Sequence, residues 1–217
     1  MAIENKVALV TGAGQGIGRG IALRLAKDGA SLMLVDVNPE GIAAVAAEVE
    51  ALGRKAATFV ANIADRAQVY AAIDEAEKQL GGFDIIVNNA GIALEWDGQP
   101  TNVDKVRRTL DVNLVAPYAI TAALVPLLSR SDDARVINQS SMLGSLGTAE
   151  NSWEHVAGFM TVGYSTSKAG LNMLTLIQSK TLAAQGIAVA AAHPGWVKTD
   201  LGSQAAPMEV AEGARWL

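Results

Sequence analysis

"VTGAGQGIGRG", Val10 to Gly20, ends one apolar stretch and opens a longer amphipathic one. Read as a strand–turn–helix junction, its glycines let the backbone approach a pyrophosphate held at the positive N-terminus of a helix. The usual G-x-G-x-x-G spacing is not met, because counting from Gly12 puts Ile17 where the last glycine would fall. The pattern is instead T-G-x-x-x-G-x-G, made by Thr11, Gly12, Gly16 and Gly18. Each glycine weakens a helix start, so a plain turn has no reason to gather so many. The loop reads as a nucleotide-binding junction.

Outward from this loop, runs of strand length alternate with runs of helix length. The strands are expected at Lys6–Val10, Ser31–Val35, Ala56–Val60, Asp84–Val87, Arg135–Asn138 and Ile187–Ala192. The helices are expected at Gly16–Asp28, Pro39–Leu52, Arg66–Leu80, Val103–Arg130 (two helices broken near Pro117) and Tyr164–Gln185. Asn38 before Pro39 is an N-cap followed by proline at N1. Repeated βα units imply a parallel sheet with right-handed crossovers. No linker, repeat or low-complexity tract divides the chain, so residues 1–217 are expected to form a single domain.

Composition narrows the function. Half of the 217 residues are hydrophobic, as suits strands covered on both faces. The net charge of −5 argues against nucleic acid and anionic membranes as partners. The absence of cysteine excludes disulfides, thiolate metal sites and cysteine nucleophiles. His155 and His193 are far apart and poorly accompanied by acids, so no metal site is expected. No apolar run reaches the roughly 18 residues that span a bilayer, and the N-terminus has no signal-peptide pattern. The expectation is a soluble, cytoplasmic protein.

Two further features carry chemistry. Asp36 ends the second strand, where an acid accepts hydrogen bonds from the adenosine ribose hydroxyls and repels a 2′-phosphate; no basic residue follows in "DVNPE". This favours NAD(H). Tyr164 and Lys168 share a helix face, and a nearby ammonium draws a phenol's high pKa toward the working range. Ser141, at a strand C-terminus where ligands of open α/β sheets sit, offers a hydroxyl to a substrate oxygen.

In order and placement, "TGAGQGIG" (Thr11–Gly18), "NNAG" (Asn88–Gly91), Asn113 in "DVNL", "INQSS" (Ile137–Ser141), "YSTSK" (Tyr164–Lys168) and "HPGWVKT" (His193–Thr199) resemble the short-chain dehydrogenase/reductase family over nearly the whole chain. The resemblance implies a doubly wound Rossmann-type sheet with helices on both faces. It makes Tyr164 the general acid/base, with Lys168 lowering its pKa and holding the nicotinamide ribose. Ser141 would position the carbonyl or hydroxyl group, and Asn113 would support a water relay to Lys168. Cofactor contacts would come from Gly12, Gln15, Gly16, Ile17 and Gly18 in the first loop and from Asn89, Ala90 and Gly91. Asn62 and Ile63 occupy the adenine position, and Pro194, Gly195, Val197 and Thr199 the nicotinamide end.

Residues 1 to about 93 resemble the acetoin (diacetyl) reductases or 2,3-butanediol dehydrogenases, and the remainder the carbonyl-reductase branch, as in a chimaera. Residues 142–163 look partly inserted, as a lid with Trp153, Phe159 and Met160 facing substrate, or as a surface loop. The family continues into a last strand and glycine-rich tail, so here six strands are expected, with one sheet edge uncovered and Trp216 exposed. A homo-oligomer is among the implied assemblies. The implied activity is NAD(H)-dependent interconversion of a small ketone or aldehyde and its alcohol. Two other readings use the same residues: an NADP(H) carbonyl reductase, and a catalytically idle dinucleotide-binding protein.

Overall fold

The computed structural model describes residues 3–216, the last by its backbone alone, so the exposure expected of Trp216 lies outside the described side chains. Six strands form one sheet: β1 (Val7–Thr11), β2 (Ser31–Asp36), β3 (Ala56–Val60), β4 (Ile85–Asn88), β5 (Ala134–Gln139) and β6 (Ile187–Ala192). Their order is β3-β2-β1-β4-β5-β6 and every pairing is parallel. The helices are α1 (Gly16–Lys27), α2 (Pro39–Ala51), α3 (Arg66–Leu80), α4 (Val103–Leu110), α5 (Ala116–Leu128), α6 (Leu146–Asn151), α7 (Trp153–Val156), α8 (Val162–Thr181) and α9 (Val210–Gly213). The predicted N-cap forms, with Asn38 Oδ1 accepting from the Gly41 N–H at 3.0 Å.

Strand periodicity sorts the core. Leu9, Met33, Ile86 and Val136 face α3 and α5, where Val69, Ile73, Ile120 and Leu124 meet them. Val10, Leu32, Leu34 and Val87 point the other way, against Ile21, Leu25, Val45 and Val49 of α1 and α2. The fold is thus doubly wound. Crossovers run outward in opposite directions from β1 and β4, which opens a crevice at their C-terminal ends. Among the described residues β6 pairs only with β5, and Ala188, Ala190 and Ala191 on it are exposed.

The expected break near Pro117 does not occur. Residues Val103–Leu128 run as one helix of 26 residues, interrupted only by a π-helical turn at Asp111–Val115. Pro117 lies in the first turn of α5, so its missing N–H falls where the widened turn has already shifted the hydrogen-bond ladder. The most apolar 18-residue stretch of this helix has a mean hydropathy of 1.5, long and apolar enough by composition to cross a membrane, which a search for an unbroken apolar run does not reveal. Ala116, Ile120, Leu124 and Leu128 account for it by burial in the core.

Residues 142–163 are not an irregular loop. A 3-10 turn at Met142–Gly144 leads into the short helices α6 and α7 and then α8. The turn is pressed onto α8, and a Cβ on Gly144 would lie 2.5 Å from the Lys168 carbonyl carbon. Asn172 of α8 latches the contact, donating to the Gly144 carbonyl at 3.1 Å and accepting from the Ser140 hydroxyl at 2.6 Å. Gly144→Ala should therefore strain the core by about 1–3 kcal/mol, lowering the melting temperature by roughly 2–12 °C. Gly147→Ala, in α6 with nothing within 4 Å of its Cβ position, should leave it unchanged or slightly raised. Calorimetry of both variants checks the pair; equal stability would contradict it.

Candidate active site

A cleft of about 530 Å³ opens along the C-terminal ends of the central strands. Its floor is the loop between β1 and α1, contributing Gly12, Gln15, Gly16, Ile17 and Gly18. Gln15, the N-cap of α1, makes no side-chain capping bond, which leaves the first-turn N–H groups available to an anion. At one end Asp36 lines the wall with its neutral neighbour Val37. Its oxygens accept from the Gly14 and Asn38 N–H groups at 2.9 and 3.0 Å, which ties the glycine loop to the end of β2. Asn62 and Ile63 lie beside it, and Asn89, Ala90, Gly91 and Thr199 line it further along, whereas the predicted Tyr164, Lys168, Pro194, Gly195 and Val197 do not. A dinucleotide would fit this donor set, with its phosphates at the α1 N-terminus, its ribose hydroxyls at Asp36 and its far end toward Gly91 and Thr199.

The other predicted residues separate. Val197 is buried and packs against Gly213 of α9, its segment bridged to Met208. With Pro194 and Gly195 it shapes the turn that carries Thr199 and does not line the cleft. Sequence reasoning passed over Gln139, Lys198, Asp200, Leu201 and Gln204, which do line it. Gln139 and Lys198 lie inside "INQSS" and "HPGWVKT", and Asp200, Leu201 and Gln204 follow the latter, which was the available signal. Lys198 pairs with Glu209 just before α9.

Ser141, Tyr164 and Lys168 converge where β5, its 3-10 turn and α8 meet. Lys168 is buried, and its Nζ donates to the Gln139 carbonyl at 2.7 Å while lying 5.6 Å from the Tyr164 ring centroid. Ser141 caps its own turn, accepting from the Leu143 N–H at 3.2 Å. Asn113, in the π-turn, is fully buried. Its amide donates to the Ile92 carbonyl (2.9 Å) and the Ser167 hydroxyl (3.0 Å), and its oxygen accepts from the Ile92 N–H (2.9 Å). These bonds pin the chain leaving β4 to α8.

The downward pull expected of Lys168 on the phenol does not prevail. Burial pushes Tyr164 above its ordinary value, opposed by the Ser141 hydroxyl. Burial also lowers Lys168 to about 8. Below pH 8 this lysine is charged in both folded and unfolded chains, and the folded state bears the full cost of burying it. As pH rises from about 8 toward the ordinary 10.5, the unfolded chain binds the proton more tightly and the cost is relieved. Lys168→Met should therefore melt higher than the parent at pH 7, with a gain that shrinks as pH climbs past 8. A gain flat from pH 7 to 10, or none at pH 7, would contradict this.

Residues 6–210 match the family model for short chain dehydrogenase. The chain is 36% identical over 199 residues to cyclohexanol dehydrogenase of Acinetobacter sp. strain SE19, covering 91% of this chain and 75% of that protein. It is 35% identical over 199 residues to oxidoreductase UcpA of Escherichia coli K12, covering 92% and 72%. Among solved structures it resembles a blue fluorescent protein from a metagenomic library in complex with NADPH (TM-score 0.82, 32% identity, 97% of this chain and 88% of that one). It also resembles carveol dehydrogenase from Mycobacterium avium in complex with NAD (TM-score 0.80, 26% identity, 92% and 74%). Fold and sequence agree over almost the whole length, and the chain belongs to the short-chain dehydrogenase family of oxidoreductases.

Proposed function

We propose that the chain interconverts an uncharged ketone or aldehyde and its alcohol with NAD(H), and that Tyr164 is the proton donor and acceptor. The observation that carries the reading is the convergence of the Tyr164 phenol, the Lys168 ammonium and the Ser141 hydroxyl beside a cleft suited to a dinucleotide. When bound, the nicotinamide supplies the hydride exchanged with the carbonyl carbon. In the reductive direction Tyr164 gives its proton to the carbonyl oxygen while the Ser141 hydroxyl donates to the same oxygen. Lys168, held by the Gln139 carbonyl, favours the phenolate that results and steadies the cofactor ribose. Asn113 keeps α8 and the chain after β4 in register for this exchange, and a water relay to Lys168 remains part of the reading.

Cofactor choice rests on Asp36, whose charge at the ribose end would repel a 2′-phosphate. Substrate choice rests on aromatic rings from three segments. Trp96 packs on Tyr164 (centroids 4.9 Å apart) and donates its Nε1–H to the Phe159 carbonyl, while Phe159 meets Trp196 edge-on at 5.6 Å. Trp96, Phe159 and Trp196 remain 38–47% exposed, forming an apolar, uncharged wall beside the phenol. Residues 142–163 contribute Phe159 and serve as that wall's outer side, in the place of a lid. A homo-oligomer belongs to this reading, since α8 leaves Val162, Met173, Leu176 and Ile177 exposed.

The test is NADH oxidation with diacetyl and with cyclohexanone. Both should be reduced, the ring ketone with the higher kcat/KM. Tyr164→Phe should lose about 10²–10⁴ in kcat while still binding NADH. Asp36→Ala should move the NADH-to-NADPH ratio of kcat/KM at least about tenfold toward NADPH. NADH binding with no reduction of any ketone would replace this reading by that of an idle dinucleotide-binding protein.

A further inference from the structure

The geometry points to Glu95 as a positioning residue for Tyr164: its carboxylate anchors the first turn of α8 from a different βα unit. The inference rests on the reading of Tyr164 as proton donor. α8 starts at Val162, and its N-cap Thr161 makes no side-chain capping bond. The next N–H groups, of Gly163 and Tyr164, are buried with their residues and need acceptors. Glu95 supplies them from the 3-10 turn Leu94–Asp97 after β4. Its Oε2 accepts from Gly163 N–H at 2.6 Å and Tyr164 N–H at 3.2 Å, and its Oε1 accepts from the Thr101 hydroxyl at 3.1 Å.

Glu95 is only 8% exposed, and a buried carboxylate is costly unless its charge is answered. Among the described residues no lysine or arginine pairs with it; the positive end of a 20-residue helix takes that place. Burial pushes the carboxyl up, but the hydrogen bonds it accepts outweigh this and hold it below its ordinary value. The contact also explains Gly163, where a Cβ would come within 2.7 Å of Glu95 Oε2 and 3.2 Å of Val106 Cα. The neighbouring Trp96 lies on the ring of the same tyrosine. Consecutive residues of one turn thus hold Tyr164 by its backbone and by its ring. Glu95 spends its carboxylate oxygens on Gly163, Tyr164 and Thr101 and does not line the cleft, so its effect on the reaction passes through Tyr164.

Glu95→Ala and Glu95→Gln in the full chain test this. For Glu95→Ala, kcat for the better ketone should fall about ten- to a hundredfold, with the Kd for NADH within about twofold of the parent. Amide hydrogen exchange at Gly163 and Tyr164 should quicken at least about tenfold, with β1 and β4 unaffected. Glu95→Gln keeps an oxygen at the same reach and should recover most of both kcat and protection. The assignment is overturned if Glu95→Ala keeps its kcat, or loses it only together with NADH binding and strand protection, or if Glu95→Gln is no better than Glu95→Ala. If the parent protein reduces no ketone, the proposed function fails by itself, and exchange at Gly163 and Tyr164 decides the anchor alone.

Discussion

Thr11 Oγ accepts hydrogen bonds from the backbone N–H groups of Asn89 and Ala90, both at 3.1 Å, and the Asn89 amide donates to the carbonyls of Thr11 and Gly12 at 2.8 and 3.2 Å. The ends of β1 and β4 are stitched together there, at the point where the sheet reverses its direction of winding. The stitch leaves no room for side chains. A Cβ on Gly18 would fall 2.0 Å from the Gly12 carbonyl oxygen and 2.5 Å from Asn89 Nδ2. Everything that lines the cleft is referred to this contact: the N-terminus of α1 on one side, Ala90 and Gly91 on the other. The glycines are required by packing as much as by any ligand.

Tyr164, Lys168 and Glu95 are all buried and titratable, and each meets the cost of burial differently. Tyr164 remains protonated to higher pH, and Lys168 gives up its proton more readily, at about 8. Glu95 keeps its charge because the Thr161 hydroxyl, the backbone N–H groups at the start of α8 and the Thr101 hydroxyl together outweigh its burial. Burying a phenol and an ammonium together is unfavourable to stability, a cost expected where function and folding compete. α8 can carry both because its first turn is fixed by Glu95 and the stretch around Lys168 by Gly144 and Asn172.

Most of the fold was legible because its signals are local. Apolar runs alternating with amphipathic ones gave the six strands and the doubly wound sheet, and Asn38–Pro39 marked a helix start. The glycine loop, Asp36 and the residues after β4 were legible as the walls of one cleft, because a close backbone approach such as that at Gly12 and Gly18 demands glycine. What escaped depends on distant contacts. Pro117 looked like a helix breaker, yet the π-turn before it absorbs the fault. Val197 sits in a recognisable motif but turns toward α9. Glu95 had no local signal, since the amides it serves lie 68 and 69 residues further along.

The central claim is that Tyr164 and its neighbours serve hydride exchange between nicotinamide and a carbonyl carbon. The most direct measurement follows the hydride itself. NADH deuterated at one face of C4 is incubated with the protein and cyclohexanone, and the alcohol is examined by proton and deuterium NMR. Deuterium at the carbinol carbon from one C4 face, and none from the other, is the predicted result. Alcohol carrying only solvent hydrogen at that carbon, or deuterium from both faces alike, would contradict it.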